Sequence, residues 1–314
     1  MTNRRDFLKS SGALAFGGML LSGILKGSSI QSGKPLPGIG IQTFTLNSLI
    51  TSDPAGTLKR LSEIGFKNIE TASYSKGSFY GYKPKELKAL IEGLGMKWIG
   101  AHFMGMPFNK MMPTPANPTP EQQKQLEEIK KMISPDLMNL TDDTQRIVDA
   151  AAEGGIQYVI CASTAIKTMD QIKSAADTFS KAGEACKEAG MQFAYHNHAT
   201  EWDLVEGTTA YDFILSKTDK NLVKLELDLG WAATAKKDPV ELFKGHPGRF
   251  PLWHLKDFNL ATNTIVPIGQ GNIDFKKTFA NADLAGMKYF FYEEDSAKGF
   301  DDVILSYNNL KKIL

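Results

Sequence analysis

Four of the five histidines in this 314-residue chain stand where short apolar runs give way to polar loops: His102, His196, His198 and His254. The fifth, His246, falls in a helix-to-strand connection and reads as structural. Carboxylates repeat the placement, because Glu70, Asp228, Asp257 and the run Glu293-Glu294-Asp295 each end or just follow an apolar run. Taken from four successive runs, His196, Asp228, His254 and Glu293 make a donor set of two imidazoles and two carboxylates. Such a mixed nitrogen and oxygen set suits one Mn²⁺, Zn²⁺, Co²⁺ or Fe²⁺ ion better than Ca²⁺, and with a divalent ion it is formally neutral. His198 competes with His196 for the ligand position, since residues two apart on a strand face the same side.

Periodicity indicates the framework that holds these groups. Eight apolar runs (39–43, 67–71, 96–101, 157–162, 191–196, 223–228, 250–255 and 287–292) alternate with helical patterns such as Asp53–Ile64 and Met169–Ala189. Asp53-Pro54 is an N-cap and first-turn signal. Five helix-to-strand junctions carry glycine, at Gly65, Gly95, Gly155, Gly190 and Gly286, where a helix end calls for a left-handed residue. Strands alternating with helices imply a parallel α/β sheet. Eight units in this length predict a closed (β/α)8 TIM barrel, whose chemistry gathers at the C-terminal strand ends. An open doubly wound sheet is the competing topology, but no Gly-x-Gly-x-x-Gly turn follows the first run. The segment 105–136, rich in Pro and Met, interrupts the rhythm after the third strand, and a loop of that length is commonly a lid or other functional element.

Three motifs add a resemblance. Leu-Asp-Leu-Gly-Trp at 227–231, Trp-His-Leu-Lys-Asp at 253–257 and Tyr-Glu-Glu-Asp at 292–295 are similar to the sugar phosphate isomerase/epimerase family, the xylose isomerase-like barrels. The resemblance spans roughly residues 37–314 and implies metal ligands at Asp228, His254 and Glu293. The family's strand-five glutamate is replaced here by Tyr195-His196-Asn197-His198, which aligns His196 with that ligand and weakens a two-carboxylate sugar 3-epimerase. The family chemistry is proton abstraction next to a carbonyl with a metal-stabilised enediolate. That implies base or acid work for Glu293, His198 or His102, and a substrate contact for Lys256. Gln42, Glu70, Asp257, Glu201 and Trp231 are expected to bind substrate, Trp231 by stacking on a sugar face. The turn 268–272 resembles a family loop that shapes the pocket. The expected activity is that of a metal-dependent isomerase or lyase on a sugar, with a non-catalytic sugar-binding protein as the alternative of another class.

Composition narrows the partners. Thirty-six basic against 35 acidic residues leave a net charge of +1, so the chain offers no field for nucleic acid. A DNA-repair endonuclease of the same superfamily would also need further histidines at strands two and three, and strand two carries Glu70. Two cysteines, Cys161 and Cys186, cannot build a disulfide framework and read as buried small hydrophobes. Asn3-Arg4-Arg5-Asp6-Phe7-Leu8-Lys9 is a twin-arginine export signal, followed by an apolar stretch at 13–25 too short to span a bilayer. Residues 1–34 are therefore expected to be a targeting segment read by the twin-arginine machinery, with 35–314 a single barrel domain. A periplasmic location, no stable membrane anchor and a non-phosphorylated carbohydrate substrate are the accompanying expectations, since sugar phosphates are mainly cytoplasmic.

Overall fold

A computed structural model describes residues 35–72, 74–111 and 137–314, with 118–121, 123, 124 and 127 between them. Residues 1–34, expected to be a twin-arginine segment, and most of the 105–136 insertion lie outside the described residues. Eight parallel strands close into a barrel: β1 (Gly40–Gln42), β2 (Asn68–Thr71), β3 (Lys97–Met104), β4 (Tyr158–Ser163), β5 (Gln192–His196), β6 (Val223–Asp228), β7 (Leu252–Leu255) and β8 (Tyr289–Tyr292). β1 pairs with both β2 and β8, which closes the ring. Each strand is followed by a helix: α1 (Pro54–Ile64), α2 (Pro84–Gly93), α3 (Leu140–Gly154), α4 (Met169–Glu188), α5 (Ala210–Lys217), α6 (Pro239–Gly245), α7 (Phe275–Phe279) and α8 (Phe300–Ile313). The open doubly wound alternative is excluded by the closed pairing.

Local chemistry explains the helix ends. The Asp53 carboxylate accepts the Gly56 N–H at 2.9 Å with Pro54 in the first turn of α1, and Thr168 with Gln171 form a capping box on α4. Gly155, after α3, sits at φ 64° with its N–H bonded to Ala151 and Ala152 carbonyls, the left-handed exit that a side chain disfavours. Among the described residues no helix is long and apolar enough to cross a membrane.

Packing divides into an outer and an inner core. Outward-facing residues such as Ile41, Val159, Phe193, Leu225, Trp253 and Phe290 meet the helices in one large buried cluster. The two cysteines are buried there, and burial pushes the Cys186 thiol up to about 12. Inside the barrel, Ile99, Ile160, Ala194, Leu252 and Phe291 form a small apolar plug. One step toward the C-terminal end, where packed barrels usually continue in branched aliphatics, the interior turns polar: Gln42 and the ionisable Glu70, His196, Glu226 and His254 are all buried there. Register brings them together, with Gln42 beside Glu70, Glu226 beside His196 and Asp228 beside His254. A register shift between Ile69 and Glu70 puts Gly100 beside Glu70, and a Cβ at Gly100 would stand 3.1 Å from Glu70 Oε2.

Candidate metal centre

Two layers of side chains make up the site. In the lower layer, Glu226 Oε2 lies 2.8 Å from His102 Nε2, 3.1 Å from His196 Nδ1 and 3.3 Å from His254 Nε2. Glu70 Oε1 lies 2.7 Å from His254 Nε2 and 3.0 Å from His102 Nε2, and accepts the Gln42 amide at 2.7 Å. The His102 and His254 rings stack nearly parallel, 5.3 Å apart. Burial opposes charge on these imidazoles, but Glu70 and Glu226 overcome it at His102 and push it up to about 9. The same carboxylates, with Glu293, hold His254 well above its ordinary value. Burial, with the neighbouring imidazoles His254, His198 and His102, keeps His196 well below its own.

In the upper layer, His254 Nδ1 meets Glu293 Oε2 at 2.9 Å. Asp228 ends β6 and caps the short helix Leu229–Thr234, its Oδ1 accepting the Trp231 N–H at 2.8 Å. Its other oxygen, Oδ2, is buried without a hydrogen bond and faces Lys256 Nζ at 3.4 Å. Lys256 Nζ also meets Glu293 at 2.9 Å and Asp295 at 2.9 Å, and sits 5.1 Å over the Trp231 ring. Burial raises Asp228 to about 6 against the pull of Lys256 and His254. Burial works the same way on Glu293, but Lys256 and His254 prevail and hold its carboxyl well below the ordinary range.

The donor set expected from the sequence is thus brought together. One atom each from His196, Asp228, His254 and Glu293 lies within 4.8 Å of the others. Two imidazoles and two carboxylates, one of them Asp228 with its unbonded oxygen, fit a divalent transition metal. The buried Asp228 Oδ2 has no hydrogen bond and only the Lys256 ammonium at 3.4 Å, so a closer cation would satisfy it. A second group, His102, His196, Glu226 and His254, also converges within the same limit one layer deeper. His198 belongs to neither group. It lies at the rim, its side chain 42% exposed and 3.9 Å from Glu201, because β5 ends at His196 and strand alternation does not extend past it.

Above the ring lies a cavity of about 210 Å³, to which His102, His196, His198, Lys256, Glu293 and Asp295 contribute. The other residues expected at the substrate sit elsewhere. Asp257 requires a correction: its Oδ2 accepts the N–H groups of Gly269 and Gly271 at 2.8 and 3.0 Å, and its Oδ1 those of Phe258 and Ile273. It is buried and shapes the 268–273 turn, leaving no lone pair facing the cavity. Gln42 and Glu70 lie in the lower layer, beneath the cavity floor. Glu201 is buried, accepting the Tyr195 hydroxyl at 2.9 Å, and Trp231 supports Lys256 from outside the lining. Glu226 escapes a reading confined to strand ends, although it stands two residues before Asp228 and so on the same strand face.

The profile described as "Xylose isomerase-like TIM barrel" matches residues 139–303, more than half of the chain. The chain belongs to that family. A solved sugar phosphate isomerase/epimerase from Parabacteroides distasonis is similar over 90% of this chain and 96% of its own, at 25% identity and TM-score 0.68. The IolI protein with a bound zinc atom matches 88% of this chain and 98% of its own at TM-score 0.60, but at 14% identity it speaks for the fold alone. Among curated proteins, an inosose dehydratase of Geobacillus kaustophilus is 38% identical over 90 residues, 29% of either chain. An inosose dehydratase of Clostridium perfringens is 28% identical over 127 residues, 42% of its length. The chain therefore spans less than half the length of these curated relatives.

Proposed function

We propose that this protein is a divalent-metal-dependent lyase or isomerase acting on a non-phosphorylated sugar, keto-sugar or keto-glycoside by removing a proton next to a carbonyl. The convergence of His196, Asp228, His254 and Glu293 carries the proposal, with His196 and Glu293 lining the cavity beside it. The dehydratase relatives favour elimination, and the zinc of the IolI protein is in keeping with a metal in this ring. Those four residues would hold the ion, which supplies Lewis-acid stabilisation of charge developing on a substrate oxygen.

The chain's own groups supply the rest. His102 and His198 flank His196, each ring 5.1 Å from it, and both line the cavity. His102 is backed by Glu70 and Glu226, so it is suited to carry a proton and deliver it. His198, at the rim beside Glu201, is suited to take one. In an elimination the C–H proton passes to the base, the adjacent C–O bond breaks, and the leaving oxygen takes the proton of the acid. In an isomerisation the proton returns to the neighbouring carbon. In this scheme Glu293 is assigned the ligand role, its Oε2 already held by His254 Nδ1 and Lys256 Nζ, each at 2.9 Å. Lys256 adds a positive donor at the same floor.

Among the described lining residues Lys256 is the one Lys or Arg, and three carboxylates already surround it. A substrate phosphate would meet Glu293 and Asp295 there, which favours a sugar without phosphate. Histidine in place of a strand-five carboxylate disfavours the 3-epimerase alternative. Export to the periplasm through the twin-arginine pathway is part of the proposal and is checked by cell fractionation. The deciding experiment is metal analysis of the purified protein paired with Asp228→Ala on a panel of keto-sugars and keto-glycosides. Stoichiometric metal and activity, both lost in the variant, are expected. A metal-free wild type that behaves like the variant would overturn the reading.

A further inference from the structure

The cavity has two chemically distinct halves. Its metal-ring side, from β5 to β8, presents His196, His198, Lys256, Glu293 and Asp295. The side formed by β1 to β4 and the return of the insertion presents Phe44, Tyr74, Phe103, Met104, Leu137 and Met138, with His102 and Ser163 as its polar members. Resting on the sugar-site reading, we propose that this apolar wall is a subsite for an aromatic-sized apolar substituent on the sugar, so that the substrate is an aryl keto-glycoside rather than a bare monosaccharide.

The wall is built as a rigid surface. Tyr74 packs on Phe79 at 4.5 Å and on Phe103 at 6.1 Å, and Phe79 stands edge-on to Trp98 at 4.8 Å. Trp98 is pinned by its indole N–H to Thr71 at 3.1 Å. Leu137 bridges to Ser75, and the Met138 N–H reaches the Tyr74 carbonyl at 3.4 Å. Both residues are thereby fixed beside the aromatic cluster. At the rim Phe44 keeps 39% of its surface exposed, and its N–H donates to Gln42 Oε1 at 3.1 Å. Gln42 also donates to Glu70, so one side chain ties the rim aromatic to the polar layer.

A bare polyol is a poor match for this cavity. Hydroxyls pressed against Phe44, Phe103, Met104, Leu137 and Met138 would lose water without gaining partners, whereas the metal-ring side offers donors and acceptors in quantity. A molecule that fills both halves has its hydroxyls and carbonyl on the ring side and an apolar group on the other. Flat aromatic groups meet aromatic side chains with added attraction.

The test is calorimetric binding of a matched pair, a methyl and a phenyl keto-glucoside, to the metal-loaded full chain. The phenyl compound is expected to bind at least tenfold more tightly, and Phe44→Ala combined with Met104→Ala is expected to cut that ratio at least threefold. A wild-type ratio below tenfold overturns the subsite while leaving the sugar site standing. A preference that survives the double substitution overturns the assignment to this wall. Failure of both compounds to bind overturns the sugar-site reading itself, and the subsite with it.

Discussion

Glu226→Gln is the perturbation that best separates the two layers of the ring. One carboxylate oxygen faces His102 at 2.8 Å, His196 at 3.1 Å and His254 at 3.3 Å. The amide keeps the volume but removes the charge, and can present an N–H₂ to a ring nitrogen in place of an acceptor. His254 keeps its 2.7 Å contact with Glu70, so it stays oriented, whereas His196 loses the acceptor at Nδ1. A hydrogen bond to a charged group contributes about 1.5–3 kcal/mol, and losing an outer partner of a metal-bound histidine costs about 10–100-fold in affinity. At about 1.4 kcal/mol per decade the two overlap at roughly 1.5–2.8 kcal/mol. The assay is competitive titration of Zn²⁺ against a chromophoric chelator, with far-UV circular dichroism to verify folding. Unchanged affinity, within twofold, would refute the idea that Glu226 orients the ligands. A loss as complete as that of Asp228→Ala would refute it in the other direction, making Glu226 a ligand and moving the ion to the deeper group with His102.

The same geometry makes three further outcomes testable. Lys256→Ala leaves Asp228, Glu293 and Asp295 without their shared cation, so the metal-free protein should lose about 3–5 kcal/mol; thermal melts should show this, with added divalent metal recovering more stability than in the wild type. His102 has a folded value of about 9 against an ordinary 6.5, so its stabilisation is complete below pH 6.5 and is lost as pH rises from there toward 9. Urea unfolding of the metal-free protein should weaken across that window by up to about 3 kcal/mol, and His102→Asn should flatten the slope. Gly230→Ala would place a Cβ 2.6 Å from the Lys256 carbonyl and 2.9 Å from the Phe258 ring; a cost of about 1–3 kcal/mol and weaker metal binding are expected by melts and titration.

Much of the barrel was legible because its signals are local. Glycine at the helix exits and alternating runs of two periods specify eight repeated units, and all eight runs fall on barrel strands. The convergence of His196, Asp228, His254 and Glu293 was legible because strand ends in a closed barrel face one point. Glu226 escaped notice because attention to strand ends overlooks the layer beneath, where the alternation Glu226-Leu227-Asp228 already places a second carboxylate inside. The aromatic wall was illegible for a different reason: Tyr74, Phe103 and Leu137 come from three separate segments, and nothing in their spacing shows that they share a cavity.

Asp257 shows alternation holding just past a strand end, and His198 shows where it stops being a guide. Counting from the inward-facing His254, Leu255 faces the helices, Lys256 the interior and Asp257 outward again, and the structure gives Asp257 to the backbone of the 268–273 turn. Parity alone was enough to exclude it from the cavity. For His198 the same parity misleads. It is two residues beyond His196, but pairing with β6 ends at His196, and past the last paired residue the pleat no longer dictates direction. Asn197 takes over instead, its side-chain oxygen accepting the Asp228 N–H at 3.1 Å, and the chain turns outward to leave His198 at the rim. Which of the two histidines joins the converging ring was therefore a question about where a strand ends, which sequence periodicity resolves only to within a residue or two.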